Sequence, residues 1–204
     1  YLESSVVSGT NVGDWDGDGI DDAALVTETF DAVEDRTEGA VDLYFGDPRQ
    51  SVTPDLTLAN PNDARVRTVA SGDFTGNGQQ NLVVVWAESM PNVSVYEAGG
   101  GASPIRTYDT DDIGPIEEGS FRSTATTAGN VGDVNGDGIE DFLIGAPATQ
   151  VGGDPVQEAF LFLGGASLPS SPSVTIDYSG QDTDPQSLAS GIEGLGDINQ
   201  DGIE

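Results

Sequence analysis

One short pattern returns four times along this chain, and it limits what the chain can fold into more than any other feature. The copies are VGDWDGDGIDD from Val12, SGDFTGNGQQN from Ser71, VGDVNGDGIED from Val131 and LGDINQDGIE from Leu195. Their first aspartates, Asp14, Asp73, Asp133 and Asp197, stand 59, 60 and 64 residues apart. A near-fixed period of this length marks a repeated supersecondary unit, whose copies bury a common core only by stacking on one another.

Between the copies the chain reads as short strands with turn punctuation, and no segment sustains a helical period. AALV, LVVVW and DFLIG follow the first three loops directly. AVDLYFG, NVSVYEAGG and EAFLFLGG supply a second strand per unit, and LTLA, SPIRTY and SVTIDY a third. A fourth leads into the next loop, as in SLASGIEGLGD. Four strands in about 60 residues is the arithmetic of a propeller blade. The expected fold is therefore all-β, a β-propeller of four-stranded antiparallel blades spanning residues 1–204. The polar stretches TETFDAVEDRTEG and TQVGGDPVQ are expected to be variable linkers at one rim. Three units plus an opening strand and loop do not close a ring of four to eight blades, so further blades are expected beyond these residues.

In the third copy, with Asp133 as position 1, Asn135 stands at 3, Asp137 at 5, Ile139 at 7 and Asp141 at 9. Alternate residues of a tight loop converge on one point, with Ile139 offering its carbonyl and Gly138 a positive φ. Asp14, Asp16, Asp18, Ile20 and Asp22 repeat the arrangement in the first copy. The fourth offers Asp197, Asn199, Asp201 and Ile203 but stops at Glu204, before position 9, so the chain is expected to be a piece of a longer protein. An all-oxygen cage rich in carboxylates suits Ca²⁺ better than Mg²⁺. Four converging carboxylates at about 5 Å repel by roughly 3 kcal/mol per pair, which a divalent cation removes. In the second copy Asp73, Thr75, Asn77 and Asn81 supply one carboxylate, and a turn held by Gly76, Gly78 and side-chain hydrogen bonds is the expectation there. An EF-hand loop begins similarly but requires an acid at position 12. That position is Leu25 or Ile144. Apolar residues at position 2 (Trp15, Phe74, Val134, Ile198) and position 7 (Ile20, Ile139, Ile203) are expected to anchor the loops in the core.

Composition narrows the chemistry. The chain has 36 acidic and 6 basic residues, a net charge of −30, and no Cys, His or Lys. Without imidazole, thiolate or amine, the usual nucleophilic devices are absent and zinc is poorly served. No catalytic residue is expected, since acid pairs such as Asp111-Asp112 and Glu117-Glu118 read as solvated surface charge among so many. The charge argues against nucleic acid as a partner. It fits either a high-salt environment or an acidic extracellular protein, and the two remain open. The longest apolar run, LVVVWA, is far short of the roughly 20 residues that span a bilayer.

With these loops in view, the repeats resemble the FG-GAP, or integrin α-chain-like, β-propeller family, most fully in GDVNGDGIEDFLIGAPA, where Gly145, Ala146 and Pro147 complete the motif. VTE and WAE replace Gly-Ala-Pro in the first and second copies, and the Phe-Gly half is Phe121-Arg122. The resemblance implies a propeller, often seven-bladed, outside or on the surface of a cell. It implies structural calcium on one rim and an adhesion or recognition role toward a protein or glycan ligand. The alternatives it leaves are the propeller domain of a secreted carbohydrate-active enzyme or lectin, and a structural spacer in a surface protein. The sequon Asn92-Val93-Ser94 is compatible with secretion.

Overall fold

The computed structural model describes residues 3–32, 35–47, 52–59, 62–87, 93–109, 112, 127–151, 154–177, 192 and 194–197. The described elements are twelve strands. The first sheet holds β1 (Glu3–Gly13), β2 (Asp22–Asp31), β3 (Arg36–Tyr44) and β4 (Leu56–Ala59). The second holds β5 (Val66–Gly72), β6 (Asn81–Trp86), β7 (Val93–Glu97) and β8 (Arg106–Tyr108). The third holds β9 (Thr127–Gly132), β10 (Asp141–Val151), β11 (Asp154–Phe162) and β12 (Val174–Asp177). Each sheet pairs its strands in chain order, every pair antiparallel, and each acidic loop joins a first strand to a second. This is a partial β-propeller of four-stranded antiparallel blades.

The sheets stack face to face through two cores, and β6 shows why its run NLVVVW is apolar without a break. Val83 and Val85 face the third sheet with Phe142, Ile144 and Phe160. Leu82, Val84 and Trp86 face the first sheet with Val26, Val41 and Leu43. Side chains of a strand alternate between faces, so a strand covered on both sides must be apolar throughout. In β2 the alternation is instead one-sided: Ala24 and Val26 are buried while Ala23 is exposed. Between the second and third sheets Phe142 lies parallel to Phe162 at 5.1 Å and tilted against Phe74 at 5.0 Å. Ser94 of the sequon is buried in β7, where its Oγ accepts the Trp86 indole N–H.

Two stretches expected as linkers are strand. Thr27 to Asp31 pairs residue by residue with Arg36 to Ala40, and Thr149 to Val151 with Asp154 to Val156. In the first hairpin most side chains are polar and half-buried, and their polarity concealed a ladder sustained by backbone hydrogen bonds. Arg65 bonds Glu28, and Arg36 bonds Glu38 and Asp63, along this extension.

Candidate metal centre

The acidic loops fold around their first aspartate. Asp133 Oδ1 accepts the N–H groups of Gly136 and Asp137 at 2.8 and 3.0 Å, and Oδ2 that of Gly138 at 2.6 Å. In the first loop Asp14 receives Gly17 and Gly19 in the same way. The turn requires glycine twice: Gly17 and Gly19 have φ of 83° and 91°, and Gly136 and Gly138 76° and 87°. The side chains at positions 3 and 5 close smaller turns onto the N–H two residues on, Asp16 to Asp18 and Asp18 to Ile20, then Asn135 to Asp137 and Asp137 to Ile139.

Asp14, Asp16 and Asp18 are thereby gathered with a carboxylate oxygen of each within 4.8 Å of the others, all on an exposed rim. Loss of solvation, and then the charges of Asp18, Asp22 and Asp14, raise the Asp16 carboxyl above its usual pKa against a bond from the Asp18 N–H. In the third loop Asn135 donates to Asp137 at 2.9 Å, so an amide relieves part of the same crowding. At Asp133 desolvation acts upward, but four backbone N–H groups, led by Gly138, outweigh it and hold the carboxyl below its usual pKa. These hard oxygen donors on a glycine-permitted turn fit Ca²⁺.

Asp22 and Asp141 sit differently from the rest of their sets. Both are buried, and Asp22 accepts Trp15 N–H at 2.7 Å on one oxygen and Gly46 N–H at 2.6 Å on the other. Asp141 accepts Val134 at 2.9 Å and Gly164 at 2.7 Å. Burial, opposed by those two bonds and aided by Asp137 and Asp133, raises the Asp141 pKa. The position-9 acids thus tie each loop to the end of its own third strand. The structure describes no contact of the Ile20 or Ile139 carbonyls. The glycines that receive the position-9 acids, Gly46 and Gly164, were not identified from the sequence; the signal available was a glycine just beyond each third strand, 24 and 23 residues after the acid.

The second loop keeps the turn with a different inventory. Asp73 receives Asn77 and Gly78 N–H, and Asn81 Oδ1 receives Thr75 N–H at 3.0 Å. Thr75 Oγ1 and Asn77 Nδ2 both donate to Glu97 Oε1. These are side-chain hydrogen bonds of the kind expected to hold this turn. Asn81 Nδ2 is buried without a partner. Of the fourth copy, Asp197 lies among the described residues, while Asn199, Asp201 and Ile203 lie outside them, as do Ile198 and Phe121-Arg122.

The apolar anchors divide. Trp15 and Phe74 are buried, and Val134 is half-buried. Ile139 is half-buried against Gly76 of the neighbouring loop, but Ile20, in an outermost described sheet, is 44 % exposed and anchors nothing in either core cluster.

Comparison with known proteins agrees with this geometry. Residues 125–155, which contain the third loop and its Gly-Ala-Pro, match the family model described as FG-GAP repeat. The chain is also 33 % identical over 141 residues to Integrin alpha-8 of Mus musculus, a match covering 66 % of this chain and 12 % of that protein. The chain carries an FG-GAP repeat and is similar to an integrin α chain. The chain spans only 12 % of that relative's length. No helix among the described residues is long and apolar enough to cross a membrane.

Proposed function

We propose that this chain is part of an extracellular or cell-surface β-propeller that acts as an adhesion or ligand-recognition module, with Ca²⁺ stiffening its loops. The observation that carries the calcium part is the convergence of Asp14, Asp16 and Asp18 within 4.8 Å on an exposed turn. Three carboxylates so placed repel one another unless a cation joins them. Position 9 then serves the ion through a bridging water or only through the loop's shape, as in loops where that ligand is indirect. The family relation to Integrin alpha-8 supports adhesion toward an extracellular protein or glycan. The reading is non-enzymatic: the loop carboxylates are committed to backbone N–H groups and to the ion, and no imidazole, thiol or amine is present.

Removing the ion with a chelator and titrating Ca²⁺ back by calorimetry tests it. Binding in the range of about 10⁻⁴ to 10⁻³ M, typical of extracellular modules, with a rise in melting temperature, is the expected result. The absence of both binding heat and a shift in melting temperature would overturn the calcium role.

A further inference from the structure

A cavity of about 570 Å³ opens at the seam between the second and third sheets. Thr75, Asn77, Glu97 and Arg106 line it from the second sheet, and Ser167 and Leu168 from the loop after β11. Its size is that of small-ligand pockets. Both walls are fixed. Tyr108 Oη donates to Pro169 O at 3.0 Å, and Gly165 N–H to Phe74 O at 2.9 Å, which pin the loop of the third sheet to the second.

The cation in this pocket is unusual for so acidic a chain. Among the described residues Arg36 and Arg65 make the ion pairs, and Arg67 and Arg106 join none of these. Its Nε is buried with no hydrogen-bond partner, while its guanidinium lies 5.1 Å from the Tyr108 ring. A buried donor left open in a cavity wall is a place for an acceptor from outside the chain. Glu97 does not fill that role. Arg106 pairs with Val95 across β7 and β8, so Glu97, two residues on, is its diagonal neighbour on the same face, about 7–8 Å away by strand geometry. Glu97 Oε1 is held by Thr75 and Asn77, and Glu97 lines the pocket beside Arg106.

We propose that this pocket binds a sugar acid, a saccharide unit carrying one carboxylate. The carboxylate takes the Arg106 guanidinium, since the two groups match in geometry. Ring hydroxyls donate to Glu97 and exchange hydrogen bonds with Ser167. Ile105, 44 % exposed, and Leu168 offer an aliphatic wall to the C–H face. A hydroxyl-free anion would leave Glu97 unanswered, and a neutral sugar would leave Arg106 so. The proposal deepens the recognition reading and rests on it for its biological setting; the pocket uses none of the proposed metal ligands, so its failure and that of the calcium reading are separate results.

Amide-resolved NMR titration of the whole chain in calcium-containing buffer tests it, with methyl glucuronide, methyl glucoside and glycine as probes. Saturable shifts at residues 75–77, 97, 105–106 and 166–168 with the glucuronide are expected, and affinity for the glucoside about tenfold or more weaker. Arg106→Gln should remove that preference. Ser167→Trp, at an exposed position, should block the glucuronide without touching Arg106. No saturable shift, an undiminished preference in Arg106→Gln, unchanged binding in Ser167→Trp, or glycine binding as tightly as the glucuronide would each overturn the assignment.

Discussion

Glu140, at position 8 of the third loop, accepts the backbone N–H of Asp73, the first residue of the second loop, at 2.6 Å. The two blades are therefore joined at their rims as well as through the aromatic core. Asn130 Nδ2 donates to Ser71 O along the same seam, and Ser71 Oγ donates to Asn11 O across the seam between the second and first sheets, each at 3.0 Å. Glu140→Ala leaves a part-buried N–H without an acceptor and should cost about 1–3 kcal/mol in urea unfolding. Glu140→Gln retains an acceptor oxygen and should cost distinctly less. Equal losses would show that charge, and not the bond, matters at this contact.

The core between the second and third sheets should be the most sensitive part of the protein to truncation. Phe142 is fully buried and touches the rings of Phe74 and Phe162. Phe142→Ala should destabilise by about 3–5 kcal/mol, read as a fall in melting temperature. Ile20→Ala, at a residue 44 % exposed, should stay within about 0.5 kcal/mol.

The contrast between these residues also marks how far the sequence could be read. The period and the glycine spacing exposed the repeat and its turns, because the three described loops obey the same backbone demand. Strand positions followed from apolar runs, and the unbroken LVVVW of β6 carried the signal of a sheet covered on both faces. What stayed hidden depended on neighbours. Ile20 and Ile139 hold the same loop position, yet Ile139 rests on Gly76 of an adjacent loop while Ile20 remains open. Asp22 and Asp141 were grouped with the other loop acids, since spacing along the chain does not say which carboxylate turns inward toward Gly46 or Gly164. The strand extensions at Thr27–Asp31 and Thr149–Val151 escaped because backbone pairing there does not show in side-chain polarity.

Alkaline pH should loosen the same interface through Tyr108. Burial, opposed by the neighbouring Arg106, raises its phenol to about 12 from 10.0. The folded state therefore holds the proton more firmly than the unfolded one. The resulting stability is complete below pH 10 and is lost as pH rises through 12, a loss of about 2–3 kcal/mol. Tyr108→Phe should lose about 1 kcal/mol with the Pro169 bond at neutral pH but show a flatter stability profile from pH 10 to 12. An unchanged slope in the variant would assign the alkaline transition to another group.

Acid should act on the loops in a fixed order. The Asp16 carboxyl lies above its usual pKa, through desolvation and then the charges of Asp18, Asp22 and Asp14, whereas Asp133 lies below it because backbone N–H bonds outweigh desolvation. In the calcium-free protein, carboxyl-detected NMR should show Asp16 titrating at higher pH than Asp133. The signs for stability are opposite. Asp133 contributes stability that is present above its unfolded pKa and lost as pH falls through its folded one. Asp16 opposes folding while ionised, and its protonation relieves that strain. A proton and Ca²⁺ compete for the same oxygens, so the first loop should release its ion at a pH where Asp133 is still ionised. Calcium titrations of Asp133→Ala, which leaves the first loop intact, should weaken as pH falls from 7 through the carboxylate range, and an affinity that stayed flat through that whole range would remove Asp16 from the ligand set.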